Sequence, residues 1–143
     1  MAKKRPTSSP RDPNPSVRRQ PGCVGCPALC CKDLAINILK PRTRQEIEEL
    51  KWQLQFDTVR VFIANKRWHM LVQGRCVYLS PNNLCTIYED RPDKCRRHNP
   101  PHCERYGEFY DVMLETPDDL EAHLAREKRR RAARRARKNR PDA

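Results

Sequence analysis

The chain has 143 residues, 37% of them hydrophobic and 6% aromatic, which suits one domain with a modest apolar core. No run of 18 apolar residues occurs, so a transmembrane helix is excluded, and the basic N-terminus has no apolar stretch behind its charges, so no secretory signal is expected. The net charge of +12 sits at the ends: residues 1–20 carry six Lys/Arg and one Asp, residues 126–143 carry ten Lys/Arg and two acids, and residues 21–125 are near neutral.

In chain order, residues 1–21 are basic and rich in Pro and Ser and read as disordered. The stretch CVGCPALCC (23–31) follows as a loop. Leu34–Leu39 is a short apolar run ended by Pro41, expected to form a buried strand. Thr43 and Glu46 have capping-box spacing and predict a helix to about Gln55, with Ile47, Leu50 and Leu54 on one face. Val59–Ala64 and Trp68–Val72 are β-prone and predict a hairpin across Asn65-Lys66-Arg67, with Gly74 ending the second strand. SPNN (80–83) is turn chemistry leading to Cys85. Thr86–Cys95 reads as short helical turns interrupted by Pro92, and Pro100-Pro101 as an irregular passage. Glu108–Leu114 is the last expected strand. Thr116-Pro117-Asp118-Asp119 combines an N-cap, Pro at the first helical position and first-turn acids, predicting a helix through Leu120 and Leu124 into the basic tail. The resulting expectation is an α+β fold: a small cysteine-rich, metal-stabilised domain over 22–124, between a disordered N-terminus (1–21) and an Arg-rich helical or disordered tail (125–143).

All eight cysteines lie between 23 and 103: Cys23, Cys26, Cys30, Cys31, Cys76, Cys85, Cys95 and Cys103. With no export signal they are expected to stay reduced in a cytoplasmic setting, where such thiols are metal ligands more often than staples. Cys23 and Cys26 form a CxxC turn, the usual way for one loop to offer two thiolates to one metal. A thioredoxin-like redox pair is disfavoured because no βαβ pattern surrounds the motif. Cys76, Cys85, Cys95 and Cys103 come singly and must be gathered by the fold. Eight thiols divide into two four-ligand sites, or into one cluster plus a mixed site in which His98 or His102 substitutes. Zinc and an iron–sulfur cluster both suit such ligands.

CxxCxxxCC followed by GRCVYLSPNNLCTIYEDRPDKCR resembles the YkgJ-type cysteine-cluster family, also described as the CxxCxxCC zinc- or iron-chelating domain. The residues that carry the likeness are the first four cysteines, then Cys76, Cys85, Ile87-Tyr88, Arg91-Pro92, Cys95 and Arg96, over about residues 22–104. The resemblance implies metal chelation by these cysteines, as zinc or an iron–sulfur cluster. The module is also similar to the cysteine-rich part of flagellin lysine N-methylases, which implies a link to methyl transfer.

No nucleotide- or dinucleotide-binding motif occurs, and no paired carboxylates with a histidine stand out. The favoured reading is therefore a non-enzymatic metal-binding module with one or two centres. The alternatives are an iron–sulfur redox or radical enzyme, or an accessory factor for methyl transfer. A third is a metal-stabilised RNA-binding protein acting through the tail. The segment REKRRRAARRARKNR (126–140) resembles arginine-rich RNA-binding segments in composition, so RNA or another polyanion is an expected partner of residues 126–143.

Overall fold

The structure, a computed structural model, describes residues 25–98, 103 and 110–139. In chain order these residues form a short 3-10 turn (Leu29–Cys31), β1 (Asp33–Ile38), α1 (Arg44–Gln53), β2 (Val59–Ala64), β3 (Arg67–Gln73), α2 (Asp93–Arg97), β4 (Val112–Leu114) and α3 (Pro117–Lys138). The strands make one antiparallel sheet in the order β1-β3-β2-β4, so the fold is α+β. The chain divides into two units: unit 1 is Met1–Leu34 with Gln73–Phe109, and unit 2 is Ala35–Val72 with Tyr110–Ala143.

Unit 2 holds the apolar core. Its hairpin registers Val59 opposite Val72 and Ala64 opposite Arg67, and β4 adds on the other side of β2, with Val61 opposite Leu114. The hairpin loop is Asn65-Lys66, one residue shorter than expected, because both residues adopt positive φ (50° and 64°) and Arg67 already belongs to β3. A turn with two left-handed residues matches the right-handed twist of the strands, and Asn is well suited to the first position. Asp111 Oδ2 accepts the Asn65 N–H at 2.8 Å and fixes the turn against the approach to β4.

Both long helices begin as the spacing predicts. The Thr43 hydroxyl accepts the Glu46 N–H at 3.2 Å, and Glu46 accepts the Thr43 and Arg42 N–H groups at 2.9 and 2.7 Å. Thr116 and Asp119 repeat the arrangement at the start of α3, with Pro117 at the first helical position. These reciprocal caps satisfy orphan donors of the first turn. Hydrogen bonds hold both capping carboxyls below the usual carboxylate range, chiefly from the Thr43 and Arg42 backbone for Glu46, and from the Thr116 side chain and then the Glu115 backbone for Asp119. Leu50 and Leu54 from α1, Val61 and Ile63 from β2, Trp68 from β3, Leu114 from β4 and Leu120 from α3 form the core, flanked by Ile38, Met70, Val112 and Leu124. Each such side chain contributes roughly 1.5–3 kcal/mol by leaving water.

β1 departs from expectation. The strand is present, yet it is largely exposed: Ile36 is 42% and Leu39, just beyond it, 92% accessible. The cause is position, since β1 pairs only with β3 and forms the edge of the sheet. Gly74 does end β3, and Leu54 caps α1 slightly earlier than the expected Gln55. Residues 108 and 109 of the last expected strand lie outside the described residues, and β4 occupies Val112–Leu114.

Where α1 and α3 meet, Lys51 bridges Glu48 and Glu121. Further along α3, His123 is 9% exposed, meets the Trp68 ring edge-on at 5.7 Å, and its Nε2 has no hydrogen-bond partner. Glu127 lies 3.9 Å from that nitrogen and also pairs with Lys40, whose ammonium stands 5.9 Å from the Trp68 centroid. Burial pushes the His123 pKa below its ordinary value despite the pull of Glu127, with Arg126, Lys40 and Arg130 adding to the depression.

Two measurements check this core. Leu120→Ala, at a fully buried position, is expected to cost about 2–5 kcal/mol in urea unfolding. Because His123 is held neutral in the fold, the unfolded chain takes up a proton first as pH falls below about 6.5. Stability is therefore full above that pH and declines below it. Urea midpoints at pH 7.5 and 5.5 should differ in the wild type, and the difference should shrink in His123→Leu.

Candidate metal centre

Unit 1 contains every cysteine of the chain, and among its described residues only Ala28, Leu79 and Ser80 are buried. Its order comes from backbone pairing and arginine side chains. Just before β1 and just after β3 the chain stays paired: Gly74 N–H donates to Lys32 O at 2.7 Å, and Cys76 N–H to Cys31 O at 2.8 Å. That pairing sets the CPALCC loop beside the segment carrying Cys76.

Residues 78–86 then fold back as a tight loop. Leu79 and Cys85 form an antiparallel bridge, Ser80 N–H donates to Leu84 O, and Thr86 N–H donates to Tyr78 O. The buried Ser80 hydroxyl accepts the Leu84 N–H at 3.0 Å, and Asn83 supplies the positive φ the turn needs. Arg75 donates to the carbonyls of Leu79 and Ser80, both at 3.0 Å. The loop thereby returns Cys85 toward the strand end that carries Cys76.

The IYEDRPDKCR stretch has an equally definite local logic. Arg91 lays its guanidinium over the Tyr88 ring, 3.6 Å from the centroid, and donates to the Tyr88 carbonyl at 2.8 Å. Arg96 donates to the Arg91 carbonyl at 2.8 Å and also to that of Glu89. These two arginines clasp the turn from which α2 starts, and α2 presents Cys95. Planar guanidinium groups suit this task because they stack and donate in several directions at once.

The consequence is a set of sulfurs that feel one another. The fields of Cys76, Cys85 and Cys95 reach Cys31, and those of Cys76 and Cys95 reach Cys85. For Cys31 the outcome is nevertheless a lowered pKa, because a hydrogen bond from the Cys30 side chain outweighs burial and the neighbouring thiols. Burial pushes the Cys85 thiol up, against a hydrogen bond from the Ile87 N–H and the attraction of Arg91. Cys30 and Cys31 lie together in the 3-10 turn, entered through Ala28 in the left-handed region (φ 61°). Adjacent residues in such a turn diverge by about 120°.

The remaining sequence-predicted donors are placed as follows. Cys26 and Cys103 are half-buried, and no disulfide joins any of the seven described cysteines. Cys23 and His102 lie outside the described residues. His98 ends α2, beside Lys94 and Arg97 in a shallow depression. Among the described residues, no three Cys, His, Asp or Glu side chains converge as a ready-made ligand set. Electrostatic reach is longer than a metal–sulfur bond of about 2.3 Å, so the thiols are gathered without being drawn onto one point. In number and softness the gathered donors fit a thiophilic cation.

The family model described as "CxxCxxCC: Putative zinc- or iron-chelating domain" matches residues 22–130, most of the chain. The chain belongs to this family. No curated protein and no solved structure matches the CxxCxxCC chain significantly. Membership agrees with the donor chemistry, and no helix among the described residues is long and apolar enough to cross a membrane. Sequence reasoning identified the thiols and the Arg91/Arg96 motif. It missed Arg75, the hydrogen bond from Cys30 to Cys31, and the left-handed Ala28, none of which has a compositional signal.

A prediction follows from the contrast between Cys31 and Cys85. In metal-free protein, site-mapped alkylation should reach Cys31 at lower pH than Cys85. Cys30→Ala should move the Cys31 profile to higher pH and leave that of Cys85 in place.

Proposed function

We propose that the protein is a non-enzymatic metal-binding module in which thiolates close and stabilise unit 1. The observation that supports this best is that the unit whose described residues are almost devoid of apolar core carries every thiol of the chain. A domain with so little buried surface needs a cross-link, and reduced cysteines in this family offer one through a cation. Cys31, Cys76, Cys85 and Cys95 are the proposed principal ligands, because they lie in one another's fields. Cys26 belongs to the CxxC turn of the same loop, and Cys103 is the one cysteine beyond α2. In this reading Cys30 serves Cys31 by donating a hydrogen bond to it.

A bound zinc ion, or iron as such or in a cluster, would supply a thiolate cross-link and the folding energy that goes with it. The protein's own residues do the rest. Arg75 holds the 78–86 loop, Arg91 and Arg96 hold the approach to Cys95, and Arg91 offsets negative charge at Cys85.

Anaerobic purification followed by elemental analysis tests the reading. Stoichiometric zinc without iron or sulfide would establish a zinc module, and iron with sulfide and a brown colour an iron–sulfur one. Cys31→Ser, Cys76→Ser, Cys85→Ser and Cys95→Ser should each lose metal, whereas Cys30→Ala should keep it. Chelation should remove amide protection across residues 73–98. Emission from Trp52 and Trp68, both in unit 2, should stay unchanged. Metal-free protein with full protection over 73–98 would refute the proposal.

A further inference from the structure

Helix α3 changes character along one face. Leu120, His123, Leu124 and Glu127 lie on a single stripe, and this stripe packs against unit 2, with Leu120 and His123 buried. At 3.6 residues per turn the same stripe continues through Arg131, Arg134 and Lys138. Every residue from Lys128 to Lys138 is exposed, and among the described residues no ion pair involves a cation in that span.

Glu127, the lone acid of the run, is already engaged by Lys40 and lies beside His123. It therefore subtracts little from the positive face. Ala125, Ala132, Ala133 and Ala136 fall on the opposite side with Arg129 among them, and a broad basic face is built from Arg126, Arg130, Arg131, Arg134, Arg135 and Lys138. Arg126, Arg130, Arg134 and Lys138 form an i, i+4 row with one cation every ~6 Å. Such like-charge neighbours repel, and a helix carrying them gains stability when a polyanion is laid along it.

From this placement we infer that the basic face of α3 is a binding surface for the phosphate backbone of RNA. A lipid surface is a poorer fit, because the far side of the segment bears alanines and Arg129, where an interfacial helix needs large apolar residues. Successive guanidinium groups in a row match a chain of regularly spaced phosphates and donate to them bidentately. With no aromatic residue between Arg126 and Lys138 to stack on bases, recognition rests on charge and is insensitive to sequence. This inference stands apart from the metal centre, since α3 belongs to unit 2.

The test uses the full chain and a fluorescent 20-nucleotide single-stranded RNA of mixed sequence, titrated by anisotropy from low to high salt. Single strands lose about 0.7 in the logarithmic salt slope per phosphate contact. Replacing Arg130, Arg131, Arg134 and Arg135 together by Gln should lower the slope by about 3 and weaken binding at least tenfold at about 0.1 M salt. The substituted positions are exposed, and an unchanged urea midpoint would show that unit 2 is intact. Equal affinity and slope for wild type and variant would overturn the inference. So would a wild-type slope below about 1.5, or competition by polyglutamate or anionic vesicles as effective as by unlabelled RNA.

Discussion

Two backbone hydrogen bonds, Gly74 to Lys32 and Cys76 to Cys31, are the constraint on which the cysteine-bearing unit depends. They pair stretches more than forty positions apart at the place where the first cysteine group ends and the second begins. Once Cys31 is beside Cys76, the remaining problem is local: a nine-residue loop must return Cys85, and a clasped turn must present Cys95. Both tasks are met by arginines bonded to carbonyls, one for the loop and two for the turn, because carbonyl oxygens in irregular backbone need donors and few helix or sheet partners are at hand.

Electrostatics divides the molecule into two different situations. In unit 1, sulfurs that would repel as thiolates are held within one another's fields, with Arg91 close by and Cys30 donating to Cys31. A positive centre relieves that repulsion directly. On α3 the sign is reversed: guanidinium groups crowd one helix face, and on the inference drawn above relief would come from an anionic chain. The helix persists because its first half is capped by Thr116 and Asp119 and anchored by Leu120, so the charged half is propagated from a stable start.

Much of this was legible in the sequence, for physical reasons that differ between elements. The caps of α1 and α3 are short-range chemistry, four residues each, and both were readable. The hairpin was readable because β2 and β3 are β-branched and aromatic, yet the turn proved to be Asn65-Lys66 alone, since positive φ at a lysine has no signature. β1 was misjudged as buried because an apolar run reports composition, whereas exposure depends on which strand becomes the edge. Among the thiols, the sequence grouped the ligand candidates by spacing and by family likeness. It did not distinguish Cys30 from Cys31, because the 3-10 turn that separates them depends on a left-handed alanine.

The uneven distribution of core between the two units has a further meaning. Unit 2 owes its order to seven packed side chains, so its persistence is governed by temperature and denaturant. On the proposal that a thiolate-held cation takes the place of such a core in unit 1, that unit would follow mass action: its folded fraction would rise with free cation concentration and fall as protons compete for the thiolates. In a metal-poor setting the chain would become a half-folded molecule, with α3 still displayed from an intact unit 2 while the cysteine loops are open to proteolysis. On that proposal a single polypeptide carries a permanent part and a conditional part, and the conditional part would report the supply of its ion.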